Sequence, residues 1–303
     1  MPHATHTSGN SDDNLIHQLS FTGHGGVPLA ADIAGAQERP EVILMHGGGQ
    51  TRHAWNKALS VLSAAGYRVL SLDLRGHGDS GWAGNGDYSL DALCQDLRIV
   101  LASCRSRPVL IGASLGGSIA LMVAGEDPAL ASALVLVDVA PRLEQAGVEH
   151  IHRFMKAKPM GFASIQEVAQ ALAVYNPNRP PPTDLRGLKK NLRQRADGRW
   201  YWHWDPAFLA GNHQMRVDEM SQRMRAAARR VAIPTLLVRG QSSDVVSMEG
   251  VAELRQLIPH LEFTDIAQAG HMVAGDRNDV FNAAIIEFLR RVAPLPGAGT
   301  PRA

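Results

Sequence analysis

The chain has 303 residues, 45% of them hydrophobic and 19% charged, a composition that is typical of a globular protein and excludes a disordered or fibrous one. Its 30 basic and 29 acidic residues give a formal charge of +1, which predicts no long-range field that would attract nucleic acid, an anionic membrane or a polyanionic substrate. The sequence shows neither a signal-peptide pattern nor an apolar run of about 18 residues, so we expect a cytoplasmic protein without a spanning helix.

Strand and helix patterns alternate along most of the chain. An antiparallel hairpin is predicted first, over Ile16–Phe21 and Leu29–Ile33. Short apolar runs that end at Gly, Asp or His then predict strands buried on both faces, at Val42–Met45, Arg68–Leu72, Val109–Ile111, Leu134–Val137, Thr235–Val238 and Glu262–Ile266. Amphipathic helical patterns lie between these runs. This order predicts an α/β fold with a doubly wound, mostly parallel central sheet and helices on both faces.

The alternation is interrupted between residues 142 and 231, where no strand pattern is visible. This stretch contains NPNRPPP (Asn176–Pro182) and the aromatic cluster WYWHW (Trp200–Trp204). Because it lies where catalytic loops would lie, we predict a mostly helical lid, the alternative being an unrelated subdomain. The core is then expected over 15–141 and 232–293, and the polar segment 1–14 and the Pro- and Gly-rich segment 294–303 are expected to be disordered tails.

The motif GASLGG (Gly112–Gly117) follows a predicted strand and precedes a predicted helix. A serine in so tight a turn adopts a strained backbone, and the flanking glycines let the strand and the helix approach each other. Its hydroxyl is thereby exposed at the head of the sheet, beside a helix N-terminus that favours developing negative charge. Ser114 is therefore predicted to be a catalytic nucleophile.

A second glycine motif, HGGGQ (His46–Gln50), also follows a predicted buried strand. Glycines there leave backbone N–H groups free to point into a site, as an acyl-transfer enzyme needs for the oxyanion of its tetrahedral intermediate. We predict an oxyanion hole formed by the N–H groups of Gly48 and Leu115. The alternatives are a flexible loop or a phosphate cradle, but the lysine of a nucleotide-binding loop is absent.

Three segments give the chain a resemblance to the α/β-hydrolase family, namely HGGGQTRHAW (His46–Trp55), LDLRGHGDS (Leu72–Ser80) and IGASLGG (Ile111–Gly117). The chain looks most like the branch of lidded esterases, epoxide hydrolases, haloperoxidases and carbon–carbon bond hydrolases, from about Leu15 to Val292. The resemblance implies a triad in the chain order nucleophile, acid, base. Epoxide hydrolases and haloalkane dehalogenases of this branch use an aspartate nucleophile, so a serine at position 114 argues against both activities.

The resemblance also points to the other two triad members. His271, in QAGHM, follows the last predicted strand, where the family places its catalytic histidine. Asp244, in RGQSSDVVS, stands at the usual family position of the acid, and Asp138, in LVLVDVAP, stands at a position that some members use instead. Asp244 is the predicted acid and Asp138 the alternative, with a role at the lid hinge otherwise expected for Asp138.

Other polar residues near these motifs are expected to be structural. His46 and His77 each adjoin a glycine and should orient loops by hydrogen bonds, whereas His203 should either touch substrate or lie on the lid surface. Asp73 is interpreted as a loop-anchoring residue that pairs with Arg75.

Taken together, the motifs and the resemblance predict a serine hydrolase that cleaves a small to medium hydrophobic ester or lactone through an acyl-enzyme. The expected partner is a small-molecule ester or lactone, with no nucleic acid and no membrane; the sequence does not indicate an oligomeric state, and no metal ion or organic cofactor is expected. Alternatives are a carbon–carbon bond hydrolase, a cofactor-free perhydrolase or acyltransferase with the same triad, and a ligand receptor on the same fold. Candidates for an apolar substrate pocket are Phe154, Met155, Met160, Phe162, Trp200, Trp202, Trp204, Met272 and Val273.

Overall fold

The computed structural model describes residues 15–177, 185–210, 213–276 and 278–296. The predicted tail 1–14, most of the predicted tail 294–303 and part of the NPNRPPP segment lie outside these residues. The strands of the described chain are β1 (His17–Thr22), β2 (Pro28–Ala34), β3 (Glu41–Met45), β4 (Arg68–Leu72), β5 (Val109–Ala113), β6 (Ala133–Val137), β7 (Leu192–Gln194), β8 (Trp200–Trp202), β9 (Thr235–Gly240) and β10 (Glu262–Ile266).

Eight of these strands form one central sheet in the order β1-β2-β4-β3-β5-β6-β9-β10. The strand β2 pairs antiparallel with β1 and with β4, and every other neighbouring pair is parallel. The predicted doubly wound, mostly parallel sheet and its leading hairpin are therefore confirmed. Because β3, β5, β6, β9 and β10 run in one direction, the loops that follow them emerge at the same edge of the sheet.

The core helices are α1 (Asn56–Ala64), α2 (Leu90–Ala102), α3 (Leu115–Glu126), α7 (Met248–Leu257), α8 (Val273–Asp276) and α9 (Asn278–Val292). They cover both faces of the sheet, as the side chains of β3 show. Ile43 and Met45 pack into a hydrophobic cluster with α2, α3 and α7, whereas Val42 and Leu44 pack into a second cluster with α1 and α9. Burial on both faces explains why the sheet strands read as continuous apolar runs.

The chain between β6 and β9, which we call the insertion, contains α4 (Gln145–Lys156), α5 (Ile165–Tyr175), α6 (His213–Ala228) and two short 3-10 helices, Leu185–Asn191 and Pro206–Leu209. It is mostly helical, and it also contains two short strands for which the sequence shows no pattern. The strands β7 and β8 form a small antiparallel sheet, and the WYW of the aromatic cluster is β8 itself. Strands of three residues are too short to show a two-residue period in the sequence.

The last helix of the insertion packs on the core. A Cβ atom on Gly125 of α3 would lie 2.2 Å from the carbonyl oxygen of Ala227 in α6, so the two helices approach closely at this glycine. Met224 and Ala228 of α6 belong to the same hydrophobic cluster as α3. The second half of α6 is therefore continuous with the core. In the part of the chain that the structure describes, none of the helices combines the length and the apolar character needed to cross a membrane.

Candidate active site

Ser114 occupies a sharp turn between β5 and α3. Its backbone has φ 46° and ψ −115°, an unusual conformation for a residue with a side chain. The neighbouring glycines are required by close packing, since a Cβ on Gly112 would lie 2.5 Å from the Gly116 carbonyl oxygen and one on Gly116 would lie 2.6 Å from that of Met45. The N–H of Ser114 donates to the carbonyl of Val137, 3.1 Å away, which fixes the turn against β6. The serine is thus held at the carboxyl edge of the sheet.

His271 and Asp138 form a direct contact. The Nδ1 atom of His271 lies 2.7 Å from Oδ2 of Asp138, which is fully buried at the end of β6. The same Oδ2 accepts a hydrogen bond from the hydroxyl of Ser243 at 2.6 Å, and Oδ1 accepts one from the N–H of Gly240 at 3.1 Å. Because a carboxylate only accepts hydrogen bonds, the histidine proton lies on Nδ1 and the Nε2 lone pair is left available.

Asp244 is not the partner of His271, so the sequence-based pairing requires correction. Its side chain is exposed, and its backbone carbonyl lies against α4, where a Cβ on Gly147 would be 2.2 Å from the carbonyl oxygen. The loop after β9 brings Ser243 to the site instead. Asp138, the alternative residue, makes the contact with His271 that was predicted for Asp244.

The glycine loop after β3 lies directly against the serine turn. A Cβ on Gly47 would be 3.3 Å from the Cβ of Ser114. Most N–H groups of the two turns have acceptors within the protein: the N–H of Gly47 donates to Gln50 Oε1, that of Gly49 to His77 Nε2, and that of Gly116 to the carbonyl of His46. Within the described residues the N–H groups of Gly48 and Leu115 have no such acceptor, and both residues line the cavity that contains Ser114.

His46 determines the orientation of the Gly48 N–H group. Its Nδ1–H donates to the carbonyl of Gly47 at 2.8 Å, and its Nε2 accepts from the N–H of Leu74 at 3.0 Å. The Gly47 carbonyl and the Gly48 N–H belong to one planar trans peptide and point in opposite directions. Fixing the carbonyl therefore fixes the N–H. Complete burial lowers the pKa of His46 to about 4, so the ring is neutral at physiological pH.

His77 and His203 are also buried and structural, as expected for His77 but not for His203. The Nδ1 of His77 lies 3.0 Å from the carbonyl of Arg75, and burial lowers the pKa of His77 to about 3. His203 is 2% exposed and is absent from the described lining of the cavity, so it neither lies on the surface nor faces substrate. Burial likewise lowers the pKa of His203 well below its usual value.

Ser114 and His271 line one cavity of about 860 Å³ between the core and the insertion. Six of the candidate pocket residues line it, namely Phe154, Met155, Trp202, Trp204, Met272 and Val273. Three do not: Met160 is 74% exposed, Phe162 is buried inside the insertion beside Val168, and Trp200 packs against Phe162. Apolar lining residues that the sequence did not single out include Leu143, Ile151, Leu172, Tyr175, Leu209 and Met220.

One wall of the cavity is a continuous run of aromatic rings from the insertion. The ring centroids of Trp204 and Trp202 are 5.0 Å apart, those of Trp202 and Phe154 are 5.3 Å apart, and those of Phe154 and Tyr175 are 4.0 Å apart. None of the described lining residues is an aspartate or a glutamate. No cluster of three or more metal-binding side chains occurs among the described residues. The cavity thus has an aromatic wall, and its lining also contains the cationic side chains of Lys57, Lys190 and Arg216.

Comparisons with known proteins find related hydrolases. The family described as alpha/beta hydrolase fold matches residues 40–277. The esterase Rv0045c of Mycobacterium tuberculosis is 31% identical over 84% of this chain and 82% of its own length. Its crystal structure superposes with a TM-score of 0.67 at 28% identity, over 92% of this chain and 91% of that one. The sn-1-specific diacylglycerol lipase ABHD11 of Mus musculus is 28% identical over 87% of this chain and 85% of its own.

Proposed function

The chain belongs to the alpha/beta hydrolase fold family and is a carboxylic ester hydrolase, and from this premise we propose that Ser114, His271 and Asp138 form its catalytic triad. One observation carries the proposal: a histidine bonded to a buried carboxylate shares a cavity with a serine in a strained turn. The Nδ1–H bond to Asp138 leaves Nε2 as the base, which is the arrangement that activates a serine hydroxyl.

The reaction then proceeds through an acyl-enzyme. His271 takes the proton of Ser114 as the Oγ attacks the ester carbonyl, and the protonated ring returns that proton to the leaving alcohol. Water then attacks the acyl carbonyl as His271 takes its proton, and the ring returns that proton to Oγ of Ser114 as the acid leaves. The N–H groups of Gly48 and Leu115 are the proposed oxyanion donors, and each such donor is worth about 3 kcal/mol in the transition state.

The lining of the cavity supports a small to medium hydrophobic ester or lactone as substrate. Stacked aromatic rings and aliphatic side chains line the cavity that contains the serine, and none of the described lining residues is a carboxylate, although Lys57, Lys190 and Arg216 also line it. Each buried methylene contributes about 0.8 kcal/mol, so kcat/KM should rise about fourfold per added methylene until the cavity is filled. A series of para-nitrophenyl esters from acetate to dodecanoate measures this rise and the chain length at which it ends.

The reaction class is tested by covalent labelling. A fluorophosphonate should modify Ser114, as identified by mass spectrometry of the labelled peptide. The Ser114→Ala variant should lose both labelling and ester turnover while its circular dichroism and melting temperature stay close to those of the wild type, because only one half-buried hydroxyl is removed. Turnover by Ser114→Ala at the wild-type rate would refute the proposed nucleophile, and labelling at another residue would identify a different one.

A further inference from the structure

Gly49, which follows the proposed oxyanion donor Gly48, is held by two imidazole rings from different parts of the chain. Its N–H donates to Nε2 of His77, a core residue, at 3.1 Å. Its carbonyl lies 3.3 Å from Nε2 of His203, which belongs to the insertion. The insertion also touches Gly49 through α4, since a Cβ on this glycine would be 3.1 Å from Cε of Met155. The insertion thus contacts two sides of the loop His46–Gln50, which we call the oxyanion loop.

The hydrogen bonds of His203 determine which nitrogen carries its proton. The N–H of Gly78 lies 2.7 Å from Nδ1 of His203, and a backbone N–H can only donate. Nδ1 is therefore unprotonated and the proton lies on Nε2, where it is donated to the carbonyl of Gly49. One ring thus accepts from the core loop at Gly78 and donates to the oxyanion loop at Gly49.

Other contacts dock this part of the insertion independently of Gly49. The N–H of Asp205 donates to the carbonyl of Gly76 at 2.8 Å, and the hydroxyl of Tyr88 donates to Oδ2 of Asp205 at 2.5 Å. Nη2 of Arg193 donates to the carbonyl of Gly78 at 2.5 Å. The insertion can therefore dock on the chain after β4 without the hydrogen bond between His203 and the Gly49 carbonyl. That bond is available for a different role.

We propose that His203 is a positioning residue that couples the docking of the insertion to the geometry of the oxyanion hole. Through its Nε2–H it holds the Gly49 carbonyl, and with His77 it fixes both sides of the residue next to the Gly48 donor. When the end of β8 is docked on the core, this bond restrains the loop that carries the Gly48 N–H, in addition to the bond from His46 to the Gly47 carbonyl. This inference depends on the proposed esterase function, because it assigns a role in stabilising the oxyanion.

Two substitutions separate the two bonds of His203. The amide of Asn places its oxygen near the Nδ1 position, so His203→Asn keeps an acceptor for Gly78 and loses the donor to Gly49. The amide of Gln places its nitrogen near the Nε2 position, so His203→Gln keeps the donor to Gly49 and loses the acceptor. We expect His203→Asn to lower kcat about tenfold with KM within about twofold, since only transition-state stabilisation is affected. His203→Gln should retain kcat within about threefold.

A matched control is Arg193→Gln, which removes a docking bond to the carbonyl of Gly78 without touching Gly49. Its kcat should stay within about twofold of the wild-type value. Equal kcat values for His203→Asn and His203→Gln, or an unchanged kcat in His203→Asn, would overturn the coupling. Urea unfolding of all three variants shows whether the comparison is made between folded proteins.

Two measurements test the coupling without relying on turnover. In ¹⁵N-histidine NMR spectra of the wild-type protein, His203 should be the neutral Nε2–H form, and a proton on Nδ1 would overturn the proposal even if the variants fail to fold. Hydrogen exchange of the Gly49 amide should be faster in His203→Asn than in His203→Gln, and equal exchange would also contradict it. If the wild-type protein hydrolyses no ester, the proposed function fails, while these two measurements still decide whether His203 holds the loop.

Discussion

Replacing Asp138 by asparagine is the most direct test of the proposed triad. In the wild type, Oδ2 of Asp138 accepts from both the His271 ring and the Ser243 hydroxyl, and Oδ1 accepts from the N–H of Gly240. The asparagine oxygen keeps the bond from Gly240, so the amide NH2 takes the place of Oδ2. That group donates and cannot accept, and it therefore faces two other donors.

The ring of His271 can only adapt by moving its proton. To accept from the new NH2, Nδ1 must lose its hydrogen, which shifts the proton to Nε2, the atom that would otherwise take the proton of Ser114. The geometry is kept but the base is in the wrong tautomer. Such a change costs about 10³- to 10⁴-fold in kcat, equivalent to about 4–5.5 kcal/mol of transition-state stabilisation.

The assay is steady-state hydrolysis of para-nitrophenyl butyrate by the wild type, Asp138→Asn and Asp244→Asn, with Ser114→Ala as the baseline. Asp244→Asn serves as the matched control, because its exposed carboxylate lies one residue beyond the Ser243 that contacts the site. Its kcat/KM should stay within about twofold of the wild-type value. A large loss in Asp244→Asn together with near-normal activity in Asp138→Asn would refute the argument from geometry.

Three further outcomes are expected. Ser243→Ala removes the hydroxyl that donates to Asp138 and accepts two loop N–H groups, so kcat/KM should fall about tenfold and the free energy of unfolding by about 1–2 kcal/mol, measured by ester hydrolysis and urea titration. Because the folded pKa of His77 is lowered to about 3, the unfolded state binds a proton first as pH falls below about 6.5. The contribution of neutral His77 to the free energy of unfolding is therefore fully present above about pH 6.5. Between that pH and about 3 it decreases by about 1.4 kcal/mol per pH unit. Urea titrations should show a smaller loss in His77→Gln and the wild-type loss in His17→Gln, a change at the exposed edge strand. Leu172→Trp fills part of the cavity and should lower the preference for dodecanoate over butyrate about tenfold, and an unchanged preference would place the acyl chain elsewhere.

The sequence predicted the sheet and the two glycine turns because local constraints determine them. Strands buried on both faces leave continuous apolar runs, and the turn at Ser114 tolerates only glycine at Gly112 and Gly116, where any side chain would collide with backbone. The same local constraints identified the N–H groups of Gly48 and Leu115 as candidate oxyanion donors. Each of these features depends on a few neighbouring residues and on the order of strand and helix.

The choice between Asp138 and Asp244 depends on information of another kind. Each residue follows one of two neighbouring parallel strands, β6 and β9, so the order of elements brings both to the same edge. The path of the loop after β9 decides between them, because it presents Ser243 to the site and leaves Asp244 exposed. That path is set by tertiary packing of the loop against α4, which no local pattern in the sequence records.

Pocket residues within the insertion were hard to predict for a related reason. The cluster WYWHW forms the short strand β8 followed by an irregular segment. Residues two apart on a strand point to the same face, and Trp200 and Trp202 both pack against the hydrophobic cluster that contains Phe162, yet only Trp202 also lines the cavity. Composition predicted an apolar pocket, but the tertiary position of each ring along β8 decides which of them reaches the cavity.

The segment LDLRGHGDS contributes no atom to the proposed triad, yet its polar groups connect the loops that do. The expected pair of Asp73 with Arg75 does not form: Asp73 binds the guanidinium of Arg52, and Arg75 binds both oxygens of Asp96. His77 then holds Gly49, and the N–H of the following glycine holds His203. Because these groups are buried and satisfied by one another, displacing one loop would leave charges or donors of its neighbours unpaired in the interior. The free-energy cost of leaving these groups unpaired keeps the loops after β3 and β4 and the end of β8 in a single arrangement. A preorganised oxyanion hole requires such an arrangement.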